Sequence, residues 1–246
     1  VKTCLRYPGG KFYGAKKIIP FLNIEHNLYI EPFIGGGSIF LNKYASKKEI
    51  INDKDSELIN FYKVIQDRFM REELYKLLEG EIATKTRHKE VLEINPRDAV
   101  EKAFKYFYLN RTSFSGIMNK QRWGYLIGSS ITPDRWIKII DPVAKRLQGV
   151  TITNFDFREL FKETRVDNTT LIYLDPPYFN ASKKIYLQEF SKQDHFDLLN
   201  ILKNTKARFI LSYENSEEVK FMYDWANIYP INFRYYMSEG RRQNGS

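Results

Sequence analysis

Short apolar runs recur along the chain, and each is followed by a turn and then by residues with helical periodicity. Five of these runs predict buried strands, over residues 28–31, 49–52, 150–154, 170–174 and 207–212. Because strands that alternate with helices form largely parallel sheets with both faces covered, the pattern predicts an α/β fold.

The pattern also predicts the helices between these strands. Four helices are expected, over residues 37–44, 56–67, 158–164 and 192–203, with Ser56 and Ser191 as N-caps. The stretch from about residue 69 to residue 142 interrupts the alternation. It has helical character over residues 71–85 and 96–109, and then a glycine-punctuated segment, 115–131, that predicts a β-hairpin or a long loop. We therefore expect an α/β domain formed by residues 1–68 and 143–246, with an inserted subdomain over residues 69–142.

Positive charge is concentrated in that insertion. The chain has 39 lysines and arginines against 30 acidic residues, a net charge of +9, and residues 101–149 hold nine basic residues and three acidic ones. These basic residues lie among many aromatic residues, a combination that favours a nucleic-acid partner over an ordinary solvated surface.

The rarer residue types limit the kinds of site that the chain can build. Cys4 is the one cysteine and the three histidines are scattered, so we expect no metal site. The N-terminal residues lack the apolar core of a signal peptide, and no apolar run approaches the length of a membrane span. These features predict a cytoplasmic protein without a membrane partner.

The most specific motif is Asp175-Pro176-Pro177-Tyr178, directly after the predicted strand 170–174. Ligands of open α/β sheets bind beyond the carboxyl ends of strands, where this motif lies. The prolines fix the backbone and remove two N–H donors, so a carbonyl and the Asp175 carboxylate become neighbouring acceptors beside an aromatic ring. Two acceptors and a ring suit a planar amine such as N6 of adenine. A motif that only ends the strand is an equally good interpretation of these four residues alone.

Two further strand ends carry candidate binding residues. Residues 31–38 (EPFIGGGS) allow a ligand to approach the backbone closely, although a glycine triplet is often only a tight turn. This segment is not a Walker A loop, because no Gly-Lys-Ser/Thr follows. Asp53 ends the second strand, where an acid commonly accepts from ribose hydroxyls, and its alternative role is a turn or helix cap.

Taken together and in order, the motifs resemble those of the Dam-type (D12 class) DNA adenine-N6 methyltransferases. The resemblance rests on residues 5–11 (LRYPGGK), 31–37 (EPFIGGG), 52–53 (ND), 109–116 (LNRTSFSG), 154–157 (NFDF) and 175–178 (DPPY). It implies a Rossmann-like methyltransferase sheet with helices on both faces. The insertion would be a mainly helical target-recognition subdomain carrying a β-hairpin, and the α/β domain would be catalytic.

The resemblance also implies an activity and its partners. The expected reaction is site-specific transfer of a methyl group from S-adenosylmethionine to N6 of an adenine flipped out of duplex DNA, in a restriction–modification or Dam-like role. We expect a monomer that shares its DNA site with a cognate endonuclease. Methylation of RNA or of a protein amide is a rival with the same chemistry, and a catalytically silent DNA-binding regulator is a rival from another class.

The resemblance implies roles for the catalytic and cofactor-binding residues. The catalytic group would comprise Asp175, Pro176, Pro177 and Tyr178. Cofactor contacts would come from Tyr7, Lys11, Phe33, Gly35, Gly37, Asp53, Asp156, Phe157 and Asp175. DNA contacts are expected from Arg111 and from the polar residues at the likely hairpin tip, Asn119, Lys120, Gln121 and Arg122, for which a solvated turn is the alternative. Arg111, Lys138 and Lys145 lie outside the hairpin and are assigned to phosphate contacts or the surface. Two departures stand out: residues 117–128 do not reproduce the hairpin of GATC-methylating members, and Tyr213 stands where many members have asparagine.

Overall fold

A parallel sheet of five strands lies at the centre of the part of the chain that the computed structural model describes, residues 1–7, 11, 14–116, 118, 121–179 and 190–231. The strands are β1 (Leu28–Glu31), β2 (Lys48–Asn52), β3 (Thr151–Thr153), β4 (Thr170–Leu174) and β5 (Arg208–Leu211). Their order in the sheet is β3-β2-β1-β4-β5. The α/β fold and all five predicted strands are confirmed.

The strand order reverses at the centre of this sheet. From β1 the chain moves outward through β2 and β3, and it then crosses back so that β4 pairs with the other edge of β1. Ile30 lies between its register partners Ile50 and Ile172. Ligands of open α/β sheets bind at such a switch point, beyond the carboxyl ends of the strands. The topology therefore places the candidate site between β1 and β4.

Helices pack against the sheet and against one another. They are α1 (Ala15–Ile18), α2 (Ser56–Gln66), α3 (Arg68–Leu78), α4 (Lys85–Glu93), α5 (Ala99–Thr112), α6 (Trp136–Arg146), α7 (Phe157–Glu163), α8 (Lys192–Asn204) and α9 (Glu217–Met222). Ser191 caps α8 and forms a capping box with Asp194, as predicted. The N-cap of α2 is Asp55 rather than Ser56, because the Asp55 carboxylate accepts from the amides of Glu57 and Leu58.

Two predicted helices have other forms in the structure. Residues 37–44 form a series of turns, so the helix predicted there is wrong. Gly37 has a φ of 70°, which no helix position tolerates, and the amide of Asn42 bonds to the carbonyl of Ile39, three residues earlier. The helix predicted over residues 71–85 ends earlier, at Leu78, because Gly80 adopts a φ of 71° just after α3, and the next helix, α4, begins only at Lys85.

One hydrophobic core continues from the sheet into the predicted insertion. Phe61 of α2 stacks on Phe107 of α5 at a centroid distance of 5.4 Å, and Phe107 meets the edge of Trp136 of α6 at 5.6 Å. These rings belong to the same buried cluster as Tyr29 and Ile51 of the sheet. The division of the chain at residues 68 and 143 stays a prediction, since helices from both sides of these boundaries share this core.

The glycine-punctuated segment folds back against the residues that immediately precede it. An antiparallel bridge pairs Ser113 with Trp123, and the amide of Phe114 donates to the carbonyl of Arg122 at 2.8 Å. A Cβ atom on Gly124 would overlap the backbone of Phe114, so this close approach requires glycine. A short 3₁₀ helix spans Phe114–Gly116, and the other described residues of this segment form turns and loops; residues 117, 119 and 120 lie outside the described residues. No helix among the described residues has the length and apolar character needed to cross a membrane.

Candidate active site

A pocket opens at the carboxyl edge of the sheet, beside the switch point between β1 and β4. Its walls come from the loops that follow β1, β2, β3 and β4 and from the N-terminal segment. All nine residues predicted to contact a cofactor line it: Tyr7, Lys11, Phe33, Gly35, Gly37, Asp53, Asp156, Phe157 and Asp175. Pro177 lines the pocket as well. The parallel strands thus bring together motifs that are far apart in the sequence.

The glycine loop after β1 has a tightly defined shape. Gly35 and Gly37 have φ values of 46° and 70°, in the left-handed region that favours glycine. Tyr7 packs directly on this loop, so a Cβ atom on Gly35 would lie 2.9 Å from the Tyr7 ring. The carbonyl of Gly35 accepts a hydrogen bond of 2.8 Å from the hydroxyl of Tyr62. The loop is therefore fixed from both sides and leaves its inner face to the pocket.

Asn52 holds three of the pocket loops together. Its buried side chain donates to the carbonyls of Pro32 and Phe155, both at 3.0 Å, and accepts from the amide of Phe155 at 2.8 Å. These bonds join the ends of β1, β2 and β3. Asn52 belongs to one of the sequence motifs, but no role was predicted for it. The available signal was an amide side chain at the carboxyl end of a strand next to the centre of the sheet.

Asp53 lies beside the glycine loop, and its carboxylate accepts two hydrogen bonds from backbone amides. One oxygen accepts from the amide of Gly35 at 2.9 Å, and the other accepts from the amide of Asp55 at 3.0 Å. A carboxylate oxygen can accept more than one bond, so Asp53 keeps acceptor capacity for a ligand. Burial raises the pKa of Asp53 to about 6, although these amide bonds lower it. Asp53 therefore carries its charge at neutral pH and loses it in mild acid.

The part of the pocket next to the loop after β3 combines a carboxylate with three aromatic rings. Asp156 caps α7 through the amide of Arg158, at 3.0 Å, and is paired with Lys54 at 3.1 Å. Burial raises the pKa of Asp156, but these bonds outweigh it and the pKa is lowered. Phe33, Phe157 and Phe190 contact one another at centroid distances of 5.6–5.8 Å. Such an apolar wall suits a planar ring, and the neighbouring polar groups suit its edge.

The part of the pocket next to the motif after β4 holds an ion pair between the buried Lys11 and the partly exposed Asp175. Nζ of Lys11 lies 2.6 Å and 2.8 Å from the two carboxylate oxygens of Asp175. The same ammonium group lies 4.8 Å from the centroid of the Tyr178 ring, in a cation–π geometry. Burial raises the pKa of Asp175, while the charge and hydrogen bonds of Lys11 oppose that rise. Lys11 therefore helps to keep Asp175 ionised, as an acceptor beside an aromatic face.

Glu31 is a further carboxyl group of the pocket, and no role was predicted for it from the sequence. Glu31 ends β1, lines the pocket and accepts a hydrogen bond of 2.6 Å from the hydroxyl of Tyr29. Burial raises the pKa of Glu31 to about 8, against the lowering effect of that hydroxyl and of Lys43. Its position at the carboxyl end of a central strand, just before the glycine loop, was the signal that could have identified it.

The residues predicted to contact DNA are not gathered in this pocket. Arg122 is exposed, and the half-buried Gln121 accepts a hydrogen bond of 2.8 Å on its backbone carbonyl from Nε2 of His88. Asn119 and Lys120 lie outside the described residues. Lys138, which was assigned from the sequence to phosphate contacts or the surface, is exposed on α6.

Arg111, which was expected to contact phosphates or to lie at the surface, is buried. Arg111 is 6% exposed, and one of its terminal nitrogens donates to the carbonyl of Cys4 at 3.4 Å. Burial, together with the neighbouring charge of Arg6, lowers the pKa of its guanidinium to about 10. Arg111 thus packs beneath the N-terminal segment, and a DNA contact from this side chain is not supported.

Comparison with known proteins agrees with this arrangement. The model of the D12 class N6 adenine-specific DNA methyltransferase family matches residues 7–237. A type II methyltransferase, M.CviBI of Paramecium bursaria Chlorella virus NC1A, is 25% identical over 98% of this chain and 94% of its own length. Type II methyltransferase M1.LlaDCHI of Lactococcus lactis subsp. cremoris is 29% identical over 95% of this chain and 87% of its own. Type II methyltransferase M.MjaIII of Methanocaldococcus jannaschii is 32% identical over 80% and 76%, respectively.

Proposed function

The chain belongs to the D12 class N6 adenine-specific DNA methyltransferase family, and we propose from this premise how its pocket carries out the reaction. The protein is an enzyme that methylates N6 of adenine at a specific DNA site, in a restriction–modification or Dam-like role. We propose that the methyl donor is S-adenosylmethionine and that the target adenine is flipped out of the duplex. The carrying observation is that the glycine loop and the Lys11–Asp175 pair open into one pocket.

The shape and charge of the pocket fit S-adenosylmethionine. Asp53 would accept from the ribose hydroxyls, and Asp156 with Phe157 would hold the adenine of the cofactor against the three rings. Tyr7, Phe33, Gly35 and Gly37 would line the methionine and ribose parts. The Tyr7 ring packs directly on Gly35, where a Cβ atom would collide with it, so glycine at this position allows Tyr7 to lie against the loop. When bound, the cofactor supplies a methyl group on a positively charged sulfur.

The residues around Asp175 would act on the adenine. The Asp175 carboxylate and the Pro176 carbonyl would accept hydrogen bonds from the N6 amino group, while Tyr178 stacks on the flipped base. The N6 lone pair is delocalised into the ring, so two fixed acceptors favour a pyramidal, nucleophilic amine. As N6 takes up the methyl group it becomes positively charged, and an ionised Asp175 stabilises that developing charge. The methylated N6 then releases one proton to solvent water and becomes neutral. Lys11 would hold Asp175 in the ionised state.

Recognition of the DNA site would fall to residues 69–142. We propose that Arg122 and Gln121, with Asn119 and Lys120, contact base edges, because arginine suits guanine and amide side chains suit adenine. Exposed lysines such as Lys138 would contact phosphates. We further propose that the enzyme acts as a monomer, since loops of a single chain surround the pocket. It would act in the cytoplasm of a prokaryotic or phage-infected cell, where a cognate endonuclease would cut the same DNA site.

Replacing Arg122 by alanine is expected to weaken binding to the cognate duplex by about 1–3 kcal/mol and to relax the preference at one base pair. The matched variant Lys138→Ala should weaken cognate and scrambled duplexes alike and reduce the salt slope by about one unit. Fluorescence anisotropy at several salt concentrations measures both effects. Equal weakening of both duplexes by Arg122→Ala would show that Arg122 contacts phosphates only.

Replacing Asp53 by asparagine is expected to raise the dissociation constant for S-adenosylmethionine about tenfold or more, because a charged acceptor contributes about 1.5–3 kcal/mol. In the wild type, affinity should fall as the pH drops through about 6, the pKa of Asp53, since protonation removes the charge. Titration calorimetry between about pH 5 and pH 8 measures both trends. Asp53→Asn should flatten this dependence, whereas the exposed Asp224→Asn should not change it. An unaltered pH dependence in Asp53→Asn would contradict the ribose role.

The proposed substrate, duplex DNA, is tested in parallel assays against the alternative substrates. Labelled S-adenosylmethionine is incubated with the protein and with duplex DNA, single-stranded DNA, structured RNA or a protein mixture. We expect transfer to duplex DNA of suitable sequence and background incorporation in RNA and protein. Transfer to RNA or protein in preference to DNA would contradict the assignment. Duplex binding without cofactor binding would identify a silent regulator instead.

A further inference from the structure

An aromatic cluster packs against the Asp175–Tyr178 motif. The ring of Tyr213, two residues after β5, is stacked on the ring of Tyr178 at a centroid distance of 5.9 Å and an interplanar angle of 26°. This is the residue that departs from the pattern of the resembling family. Lys11 contacts the same Tyr178 ring at 4.8 Å. Tyr178 is therefore placed by contacts from two different parts of the fold.

His195 joins this stack to the rest of the site. It lies in the first turn of α8, is 2% exposed, and its Nδ1 is hydrogen-bonded to the hydroxyl of Tyr213. Its ring is stacked on Phe179, the residue after Tyr178, at 3.9 Å and 14°. It also meets the edge of Phe190, in the cofactor pocket, at 4.7 Å. One buried imidazole thus contacts the residue that follows Tyr178 and the ring that supports Tyr178.

These contacts constrain the orientation of Tyr178 in two ways. Tyr213 limits the tilt of the Tyr178 ring, and the hydrogen bond to His195 limits the rotation of Tyr213. The stack on Phe179 limits movement of the backbone next to Tyr178. Burial lowers the pKa of His195 to about 4, although Asp194 opposes this shift, so the imidazole is neutral at neutral pH. Burial likewise raises the pKa of Tyr213, which keeps its hydroxyl protonated.

We propose that His195 and Tyr213 are positioning residues that set the angle of the Tyr178 ring against the target adenine. This inference rests on the proposed role of Tyr178 as the stacking surface for the flipped base. Neither residue touches the reacting atoms. Their effect is on the alignment of N6 with the methyl group, and small misalignments of this kind lower rates up to about a hundredfold. The role belongs to these two side chains together, because the hydrogen bond between them transmits the constraint.

The test is a double-mutant cycle on that hydrogen bond. Tyr213→Phe removes one oxygen atom and keeps the ring, and His195→Phe keeps a ring against Phe179 but removes the hydrogen-bonding nitrogen. Single-turnover rates are measured at saturating DNA and S-adenosylmethionine and are divided by the number of cofactor-binding sites found by titration. We expect each single variant to lower the rate per site about tenfold, and the double variant to lower it no further than about tenfold. Cofactor affinity should change less than about threefold.

Controls separate positioning from folding and from the proposed function itself. A merely structural role would lower the melting temperature and the number of binding sites but leave the rate per site unchanged. Tyr213→Phe, which loses a single oxygen, keeps the test informative if His195→Phe folds poorly. The exposed Tyr44→Phe is the matched control and should retain the wild-type rate.

Two results would overturn the proposal: rates per site within about twofold of wild type in both single variants, or about a hundredfold loss in the double variant, which means independent effects. The variant Tyr178→Ala tests the underlying assumption that Tyr178 stacks on the flipped adenine. If Tyr178→Ala lowers the rate while the two other variants do not, only the positioning proposal is wrong. If the wild type transfers no methyl group to adenine, the proposed function is wrong.

Discussion

Replacing Asp175 by asparagine is expected to lower the rate of methyl transfer about 10²–10³-fold, the usual effect of removing one group that stabilises transition-state charge. Asparagine keeps the shape of the side chain and one carbonyl acceptor, but it lacks the negative charge that stabilises the positive charge developing on N6. It also loses the ion pair with Lys11, whose Nζ lies 2.6 Å from Asp175. Single-turnover methylation at saturating substrates measures this effect on chemistry apart from binding.

Cofactor binding by the same variant should weaken far less, because most of the proposed cofactor contacts come from the loops after β1, β2 and β3. Asp224→Asn, an exposed aspartate in the turn after α9, is the matched control and should keep the wild-type rate. Wild-type turnover by Asp175→Asn would remove Asp175 from the catalytic group. A large loss of cofactor affinity without a change in rate would make Asp175 a binding residue only.

Replacing Lys11 by methionine is expected to move the acidic limb of the pH–rate profile to higher pH. Burial already raises the pKa of Asp175, and Lys11 is the group that opposes the rise. A nearby opposite charge lowers a carboxyl pKa by about 1–3, so the loss of Lys11 should raise the pKa of Asp175 further towards neutral pH. Because the reaction needs the ionised form, the rate should fall about tenfold for each pH unit that separates the assay pH from a higher Asp175 pKa, and it should recover in alkaline buffer.

The control for this change is Lys16→Met, an exposed lysine on α1 that should leave the profile unchanged. Lys11→Arg keeps the positive charge and should move the acidic limb less than Lys11→Met does. If Lys11→Met lowers the rate equally at every pH, Lys11 does not control the ionisation of Asp175. Its contribution would then be a direct contact with substrate or cofactor.

Much of the fold follows from the sequence because buried parallel strands leave a simple signal. The run 170–174 is apolar throughout apart from its first residue and is buried throughout as β4. The motifs at strand ends had to converge once the strands were known to be parallel, so Asp53 and Asp175 could be assigned to one pocket. Local signals also identified Ser191 as an N-cap, since its capping box is formed within one helical turn.

What could not be predicted depends on contacts between distant parts of the chain. Arg111 is basic and follows an aromatic run, a pattern typical of a surface contact, but Cys4 covers it from 107 positions away. The pKa of Glu31 is raised because its carboxyl group is buried at the end of β1, and the spacing of residues in the sequence does not reveal that burial. The hydrogen bond between His195 and Tyr213 joins α8 to the segment after β5, and neither local pattern indicates the other.

The measurement that tests the central claim most directly is the identity of the methylated base. Duplex DNA is incubated with the enzyme and with S-adenosylmethionine bearing a trideuterated methyl group. The DNA is then digested to nucleosides, which are separated and identified by mass spectrometry. The pocket geometry predicts one labelled product, N6-methyldeoxyadenosine, formed by the wild type and reduced about 10²–10³-fold by Asp175→Asn. Label on cytosine, or equal labelling of adenine by Asp175→Asn, would contradict the claim that Asp175 holds the N6 amino group of the target adenine.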